Sequence, residues 1–464
     1  MMAHSRILWN ALCVGLLAWA GGCGELDAPL EDTLGWNGEA VPQQAPASED
    51  TASAPAETDA TTVEDLLKEL DLTVPIVPSY VAGEFEGDVF GRVEVVTPVH
   101  ENLNAIRVGL LLPTGAVQPK LARIATDMRN AAELAMFSLG MEEIVLLPFD
   151  TKGTPAGARD AMRRAMNSQV DIVLGPLLAS ELSTISPLAD KHGVTVIAFS
   201  NDSPTQENHV LLLNFSPEQD IERILSFAHD QGIRDYAALL PNTPYGRRVE
   251  SILRRHVLTT SSTLHKVEHY ERVIDGPYEP ARKLGALIGE PVVVEGEEQQ
   301  SPSPFDAILL ADNGQILQIA ASALAYFDIA PPDVQLLGTH LWDNSETFSE
   351  PALQHGWYPA ARSKDSELFS SRYEEIYGAA PNRLAGLAYD AMSLVGLLVR
   401  EGDSWRSEEA PPNVLLRPGG FAGVQGLFRF LPSGRSERAL AIWEIEGGNA
   451  VLLQAPDAFF SGGG

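Results

Sequence analysis

The chain has 464 residues, 45% of them hydrophobic, enough for two or three domains with a sizeable core. Its net charge of -31, from 63 Asp and Glu against 32 Lys and Arg, excludes a nucleic-acid binder, because phosphate contacts need clustered cations. The same balance argues against anionic lipid headgroups as ligands, and the excess acid reads as a solvated surface.

The first predicted element is a signal. His4 and Arg6 precede the apolar residues Ile7-Leu8-Trp9 and the run Leu12 to Ala20, and the small pair Gly21-Gly22 then precedes Cys23. A charged start, a short apolar stretch and a small-residue cut site make residues 1–22 a secretory signal rather than a membrane span. The cysteine directly after the small pair makes it a lipoprotein-type signal, with Cys23 as the acylated first residue of the mature chain. Cys13 lies in the part removed. The expected mature protein therefore has no disulfide, no free thiol and no cysteine-based metal site or nucleophile.

Residues 23–61 read as a tether, rich in Ala, Pro, Thr and acids and poor in large apolar residues, so they bury too little surface to offset ordering entropy. Fully extended, such a segment reaches roughly 130 Å. In residues 62–104 one short helix is predicted over Thr62–Leu72, with Val63, Leu66, Leu67 and Leu70 on one face.

From Ile106 onward the chain alternates. Apolar runs at Arg107–Leu112, Ile144–Phe149, Ile172–Leu174, Val194–Phe199, Val210–Phe215, Tyr236–Leu240, Phe305–Leu310 and Val334–Leu337 are short, continuous and bounded by turn residues, as for strands buried on both faces. Helical periodicity lies between them, for example over Asp127–Leu139, closed by Gly140, and over Pro217–Asp230, where Pro217 opens the first turn. Ser262–Glu271 reads as a further strand. Glu295–Pro304 reads as a polar surface insertion. The spacing then predicts helices over Ser366–Tyr377 and Arg383–Arg400, followed by antiparallel strands at Gly426–Leu431, Ala439–Ile445 and Ala450–Leu453. The fold class is α/β: two Rossmann-like lobes with parallel sheets and right-handed crossovers.

Catalytic signatures are missing. The chain has no G-x-S-x-G elbow, P-loop, G-x-G-x-x-G after a strand or H-E-x-x-H, and we read it as a non-enzyme with no cofactor and no metal. His265 and His269 sit four apart on a predicted strand, a poor metal spacing. The strand ends are richer in small polar groups: Thr114 after the first, Ser180 after the third, Ser200-Asn201-Asp202 after the fourth, and Tyr245 after the first strand of the second group. Ligands of open α/β sheets bind beyond the carboxyl ends of strands, so these six are candidate ligand-binding residues, although helix N-caps favour the same residue types.

Three stretches resemble the first lobe of type 1 periplasmic binding proteins of the leucine-binding class: Val108-Gly109-Leu110-Leu111-Leu112-Pro113, Val173-Leu174-Gly175-Pro176-Leu177 and Val196-Ile197-Ala198-Phe199-Ser200-Asn201-Asp202. Phe215-Ser216-Pro217-Glu218-Gln219-Asp220 looks like the crossover to the second lobe. Leu337-Gly338-Thr339-His340-Leu341-Trp342, Gly356-Trp357-Tyr358, Leu387-Ala388-Tyr389-Asp390-Ala391 and Gly420-Phe421-Ala422-Gly423-Val424-Gln425-Gly426 resemble one branch more closely, the penicillin-binding protein activators, which are LpoA-type outer-membrane lipoproteins. The resemblance covers residues 106 to about 453.

It implies two discontinuous lobes within residues 105–455: lobe 1 from about 105–215 and 339–420, lobe 2 from about 216–338 and 421–455, with residues 456–464 a tail. It adds Trp342 to the ligand-binding candidates. Two departures stand out. Thr114-Gly115-Ala116 replaces the Ser-Gly pair of the leucine-binding relatives. The helical-repeat domain that precedes the fold in LpoA-type proteins is here a tether and one helix.

Two functions remain open at this point, with a ligand sensor coupled to wall growth as a mixed third. One is a regulator of cell-wall synthesis, anchored on the periplasmic face of the outer membrane, whose partner is a bifunctional penicillin-binding protein. The other is the amino-acid receptor of an ABC importer, with a small amino-acid-like ligand.

Overall fold

The computed structural model of the chain describes residues 74–75, 105–140, 143–200, 209–289, 292–294, 297–299, 301–407 and 411–456. The signal, Cys23, the tether and the predicted helix at 62–72 lie outside the described residues.

Lobe 1 is built on a five-stranded parallel sheet. Its strands are β2 (Ile106–Leu112), β3 (Ile144–Asp150), β4 (Ile172–Leu174), β5 (Thr195–Ala198) and β6 (Val210–Leu212), in the order β3-β2-β4-β5-β6. Helices cover both faces, as continuous apolar strands require. On one face α1 (Pro119–Leu139) and the long α10 (Ala385–Arg400) bury Met128, Leu134, Leu387 and Leu394. On the other α2 (Pro155–Asn167) and α3 (Ala179–His192) bury Met162, Leu182 and Ile185. The helix α1 starts eight residues before the predicted Asp127. Pro119 opens its first turn, and Leu121, Ile124 and Met128 extend the inward stripe.

Lobe 2 holds a seven-stranded sheet, ordered β18-β17-β13-β12-β11-β7-β8. The strands β7 (Asp235–Pro241), β8 (Thr263–Tyr270), β11 (Ala307–Leu310), β12 (Gln335–Leu337) and β13 (Trp357–Ala360) run parallel. The edge pair β17 (Ala441–Glu446) and β18 (Asn449–Gln454) runs antiparallel. A Gly447-Gly448 turn with both φ positive joins the edge pair. On one face lie α4 (Pro217–Asp230), with its predicted bounds, and α5 (Pro244–Thr260). On the other lie α6 (Tyr278–Gly285) and α7 (Gly314–Tyr326), with the single-turn α8 (Ser345–Phe348) beyond them. The predicted insertion at 295–304 overlaps an antiparallel hairpin of β9 (Val292–Val294) and β10 (Glu297–Gln299).

The lobe boundaries differ from expectation. Trp357–Ala360 pairs with β12 and β17, so the segment after residue 339 stays in lobe 2 until Ala360. The chain then returns to lobe 1 as α9 (Lys364–Tyr377). The strands β14 (Phe421–Gly423) and β15 (Gly426–Phe430), assigned above to lobe 2, bury Phe421, Val424, Phe428 and Phe430 in the lobe 1 core. With β16 (Ser436–Arg438) and the two-residue β1 (Val74–Pro75) they form a sheet of their own. Apolar runs and turns mark where a strand lies; its partner is fixed by burial elsewhere in the chain. Among the described residues no helix is long and apolar enough to cross a membrane.

Candidate functional site

Three passages of chain join the lobes: after β6 at Leu213–Ser216, after β13 at residues 361–363, and after β16 at Ala439–Leu440. Around them lies a crowded polar cluster. Arg438 is 2% exposed. Its Nε donates to the Asn214 carbonyl (3.0 Å) and its Nη1 to the Gln425 carbonyl (2.7 Å), tying the first passage to the β14–β15 turn. Gln219, at the start of α4, accepts from the Arg438 backbone N–H (3.0 Å) and donates to the Ser436 carbonyl (2.7 Å). Arg223, one turn on, donates Nε to the Leu440 carbonyl (2.8 Å). The third passage is thereby held along its length by lobe 2.

Phe215 is the centre of this cluster. The His340 ring stacks on it at 5.3 Å, and the guanidinium carbons of Arg383 and Arg438 lie 4.6 and 4.9 Å from its centroid. His340 pairs with Asp220 within lobe 2, and Arg383, just before α10 of lobe 1, donates to the His340 carbonyl and so ties the two lobes together. Burial, with Arg383 and Arg438 nearby, holds the His340 imidazole well below its ordinary range. Burial also lowers both guanidiniums, to about 10. The buried Asp390 carboxyl is pushed up to about 7 by desolvation, against the pull of Arg438 and of two backbone donors, Val424 N–H (2.7 Å) and Gln425 N–H (3.1 Å). Two glycines make room for this contact. A Cβ on Gly423 would lie 2.5 Å from the Asp390 carboxylate, and one on Gly386 would lie 1.9 Å from the Gln425 amide.

The second polar group sits at the lobe 2 strand ends. Tyr270 donates its hydroxyl to Asp312 (2.6 Å), and Arg272, 12% exposed, grips the same carboxylate at 2.9 Å. The Arg272 guanidinium also donates to the Asn313 side chain (3.2 Å).

The predicted site residues divide among these places. Ser200 is buried beside the first passage, its carbonyl taken by the Asn214 amide (2.6 Å). Half-buried Tyr245 opens α5; desolvation raises its hydroxyl to about 12, with Thr339, Asp312 and Arg383 around it. Thr114 is half-buried in the loop after β2, where the next residue, Gly115, donates its N–H to Asp150 (2.9 Å). Ser180 is exposed in the first turn of α3, its carbonyl accepting from the Ser183 and Thr184 hydroxyls. Ser200 and Tyr245 thus approach the hinge, and Thr114 and Ser180 stand on the lobe 1 rim. Asn201 and Asp202 lie outside the described residues.

Trp342 is corrected. It is 0% exposed in the lobe 2 core, against Gly338 and Gly356, where a Cβ would come within 2.2 and 2.7 Å of its indole. It shapes the core and does not line the cleft. His265 and His269 are taken by Asp235 (2.9 Å) and Glu250 (3.0 Å).

Sequence reasoning missed the hinge cluster, yet its signal was present. Phe215 and Gln219, His340, Asp390, and Gln425 each come from one of the motifs that carried the resemblance, and those motifs converge here. Arg272, Asp312, Arg383 and Arg438 lay outside every quoted motif.

A family model described as periplasmic binding protein matches residues 105–260. Protein RP748 of Rickettsia prowazekii is 24% identical over 169 residues, which is 36% of this chain and 44% of that protein, so the chain spans under half of that relative's length. A solved protein of Rhodospirillum rubrum, assigned to a branched-chain amino acid ABC transporter, superposes with a TM-score of 0.63 at 18% identity, over 75% of this chain and 100% of that one. LivJ of Streptococcus pneumoniae, solved with isoleucine, gives 0.52 at 16% identity, over 75% and 99%. Full-length LpoA of Haemophilus influenzae gives 0.55 at 17% identity, over 75% of this chain and 59% of LpoA. At these identities the likeness is one of fold. Residues 105–260 thus match the periplasmic binding protein model, and about three quarters of the chain takes the fold that these solved proteins share.

Proposed function

We propose that this protein is a lipid-anchored envelope protein that acts through protein contact, activating a bifunctional penicillin-binding protein in peptidoglycan synthesis. In this reading Cys23 carries the lipid on the periplasmic face of the outer membrane, and residues 23–61 let the globular part reach toward its partner.

The hinge carries the reading. A receptor that closes on a solute must rotate its lobes about the crossovers. Here rotation would break the Arg383–His340 and Gln219–Arg438 contacts that span the crossovers and uncover Phe215, which speaks for a shape presented to a partner rather than a jaw that opens and shuts. Similarity to LpoA supports the same choice.

The alternative is an amino-acid receptor of an ABC importer. The polar strand ends of lobe 2, with Tyr245, Thr339 and the Arg272–Asp312 pair, favour it, as does likeness to isoleucine-bound LivJ. Thr114, Ser180, Ser200, Asn201 and Asp202 would complete such a cleft.

Two measurements separate the readings. Purified protein should raise glycan polymerisation by a bifunctional synthase and co-purify with it, while thermal unfolding stays flat across the twenty amino acids. A stabilisation of several degrees by one amino acid, without effect on a synthase, would select the receptor. For the anchor, globomycin should block processing at Cys23, and the mature N-terminus should carry an acyl mass; unchanged processing removes the lipid from the proposal.

A further inference from the structure

On the outer face of lobe 2, α6 and α7 lie side by side and leave an open groove of about 680 Å³ between them and the loop after β8. Its lining is mixed: Gln315, Gln318 and Ser322 contribute polar groups, and the apolar part is uncovered. Ile274 is 65% exposed, Tyr278 49% and Tyr326 70%, with Ile319 between them. Scattered exposed apolar residues are ordinary, but a contiguous patch on one face is the mark of an interaction surface. The aromatic rings are already positioned. Tyr278 lies 6.2 Å from Tyr326 and 5.2 Å from Phe327, and Tyr326 lies 5.0 Å from Phe327, so the rings form one aromatic cluster.

Charge decides what fits. The rim carries Asp275 and Glu279. Glu279 is matched by Arg282, whose Nε donates to it at 2.8 Å, which leaves Asp275 as the uncompensated charge of the groove. The amphipathic stretch at 62–72 of this same chain is a poor occupant, because it brings Glu64, Asp65, Glu69 and Asp71 against a single Lys68. A second copy seated about a two-fold axis would set Asp275 against its own image. Like charges across an interface are penalised, and opposite ones are favoured.

We infer that the α6–α7 groove of lobe 2 is the docking surface for an amphipathic helix of a partner protein, apolar on one face and flanked by Lys or Arg. The inference goes beyond the proposed function. It concerns a surface on the opposite face of lobe 2 from α4 and α5, and it holds whichever enzyme or permease the protein serves.

The test uses the full chain and a fluorescent 14-residue peptide of Leu and Lys in helical spacing, with a Leu and Glu peptide of the same pattern as control, read by anisotropy at physiological salt. The Leu–Lys peptide should bind. The double variant Ile274→Ser with Tyr326→Ser, both at exposed positions, should weaken it about tenfold, and Asp275→Asn about twofold. Leu258→Ser, at an exposed apolar site on α5, should leave it unchanged. Equal binding to the double variant would mean simple attraction to an acidic chain and overturn the inference. So would equal binding of the Leu–Glu peptide, a groove-dependent dimer in sedimentation, or groove-dependent binding of a peptide spanning residues 61–72.

Discussion

The hinge and the lobe 1 rim are both built from loops at strand ends, yet they are organised oppositely. In the hinge, Arg438, Asp390 and His340 are buried to below a tenth of their surface and engaged by backbone groups or rings from distant parts of the chain. On the rim, Ser180 is exposed and its contacts stay within its own helical turn. The difference teaches where the structural cost of this fold is concentrated. Buried charge needs every partner in place, whereas an exposed hydroxyl can be exchanged without consequence for folding.

That contrast can be broken by substitution. Arg438→Ala removes two carbonyl contacts and leaves Asp390 buried without its cation, so it should lower stability by about 3–5 kcal/mol, read as a fall in the urea midpoint. A loss smaller than that of Ser180→Ala would end the comparison. Gly423→Ala should cost about 1–3 kcal/mol, because its Cβ meets the Asp390 carboxylate at 2.5 Å.

Glu181 sharpens the contrast. It lies one residue beyond exposed Ser180 but is fully buried, and burial pushes its carboxyl up to about 7, Thr151 opposing. A folded-state value above the unfolded one means the folded state binds the extra proton, so stability from this group is full below about pH 4.5 and is lost as pH rises through about 7. Glu181→Gln should therefore match the wild type at pH 5 and exceed it at pH 8 by about 1–3 kcal/mol, read as thermal midpoints across that range. An unchanged difference between the two pH values would show that Glu181 stays ionised in the fold. The smallest effect belongs to Ser180→Ala, within about 0.5 kcal/mol, with any larger consequence confined to ligand binding.

Much of the fold was legible before any coordinates. Continuous apolar runs located the strands of both sheets, because a parallel strand covered on two faces has no polar side to show. Pro217–Asp230 was bounded at both ends by its own residues: Pro217 opens the first turn, and Gly232 follows the C-cap Gln231. The start of α1 was missed because Pro119 reads as a breaker until its place in the first turn is known. The allocation of β13 to lobe 2, and of β14 and β15 to lobe 1, could not be read locally. Trp357 finds Leu337 and Glu444, and Phe428 finds a core begun at Ile106.

The candidate site divides the same way. Small polar residues after strands were visible, and Ser200 and Tyr245 do approach the hinge. Trp342 was drawn in by its motif, and burial places it elsewhere.

What the sequence determined by itself was the alternation of strand and helix, the acidic surface, and the absence of familiar catalytic motifs, since each depends on residues near one another in the chain. What only tertiary structure decided was the hinge. Arg438 reaches Asn214 across 224 positions, and Arg383 reaches His340 across 43. A buried guanidinium is tolerable only where folding has brought acceptors to it, and nothing in the local pattern around Arg438 announces them.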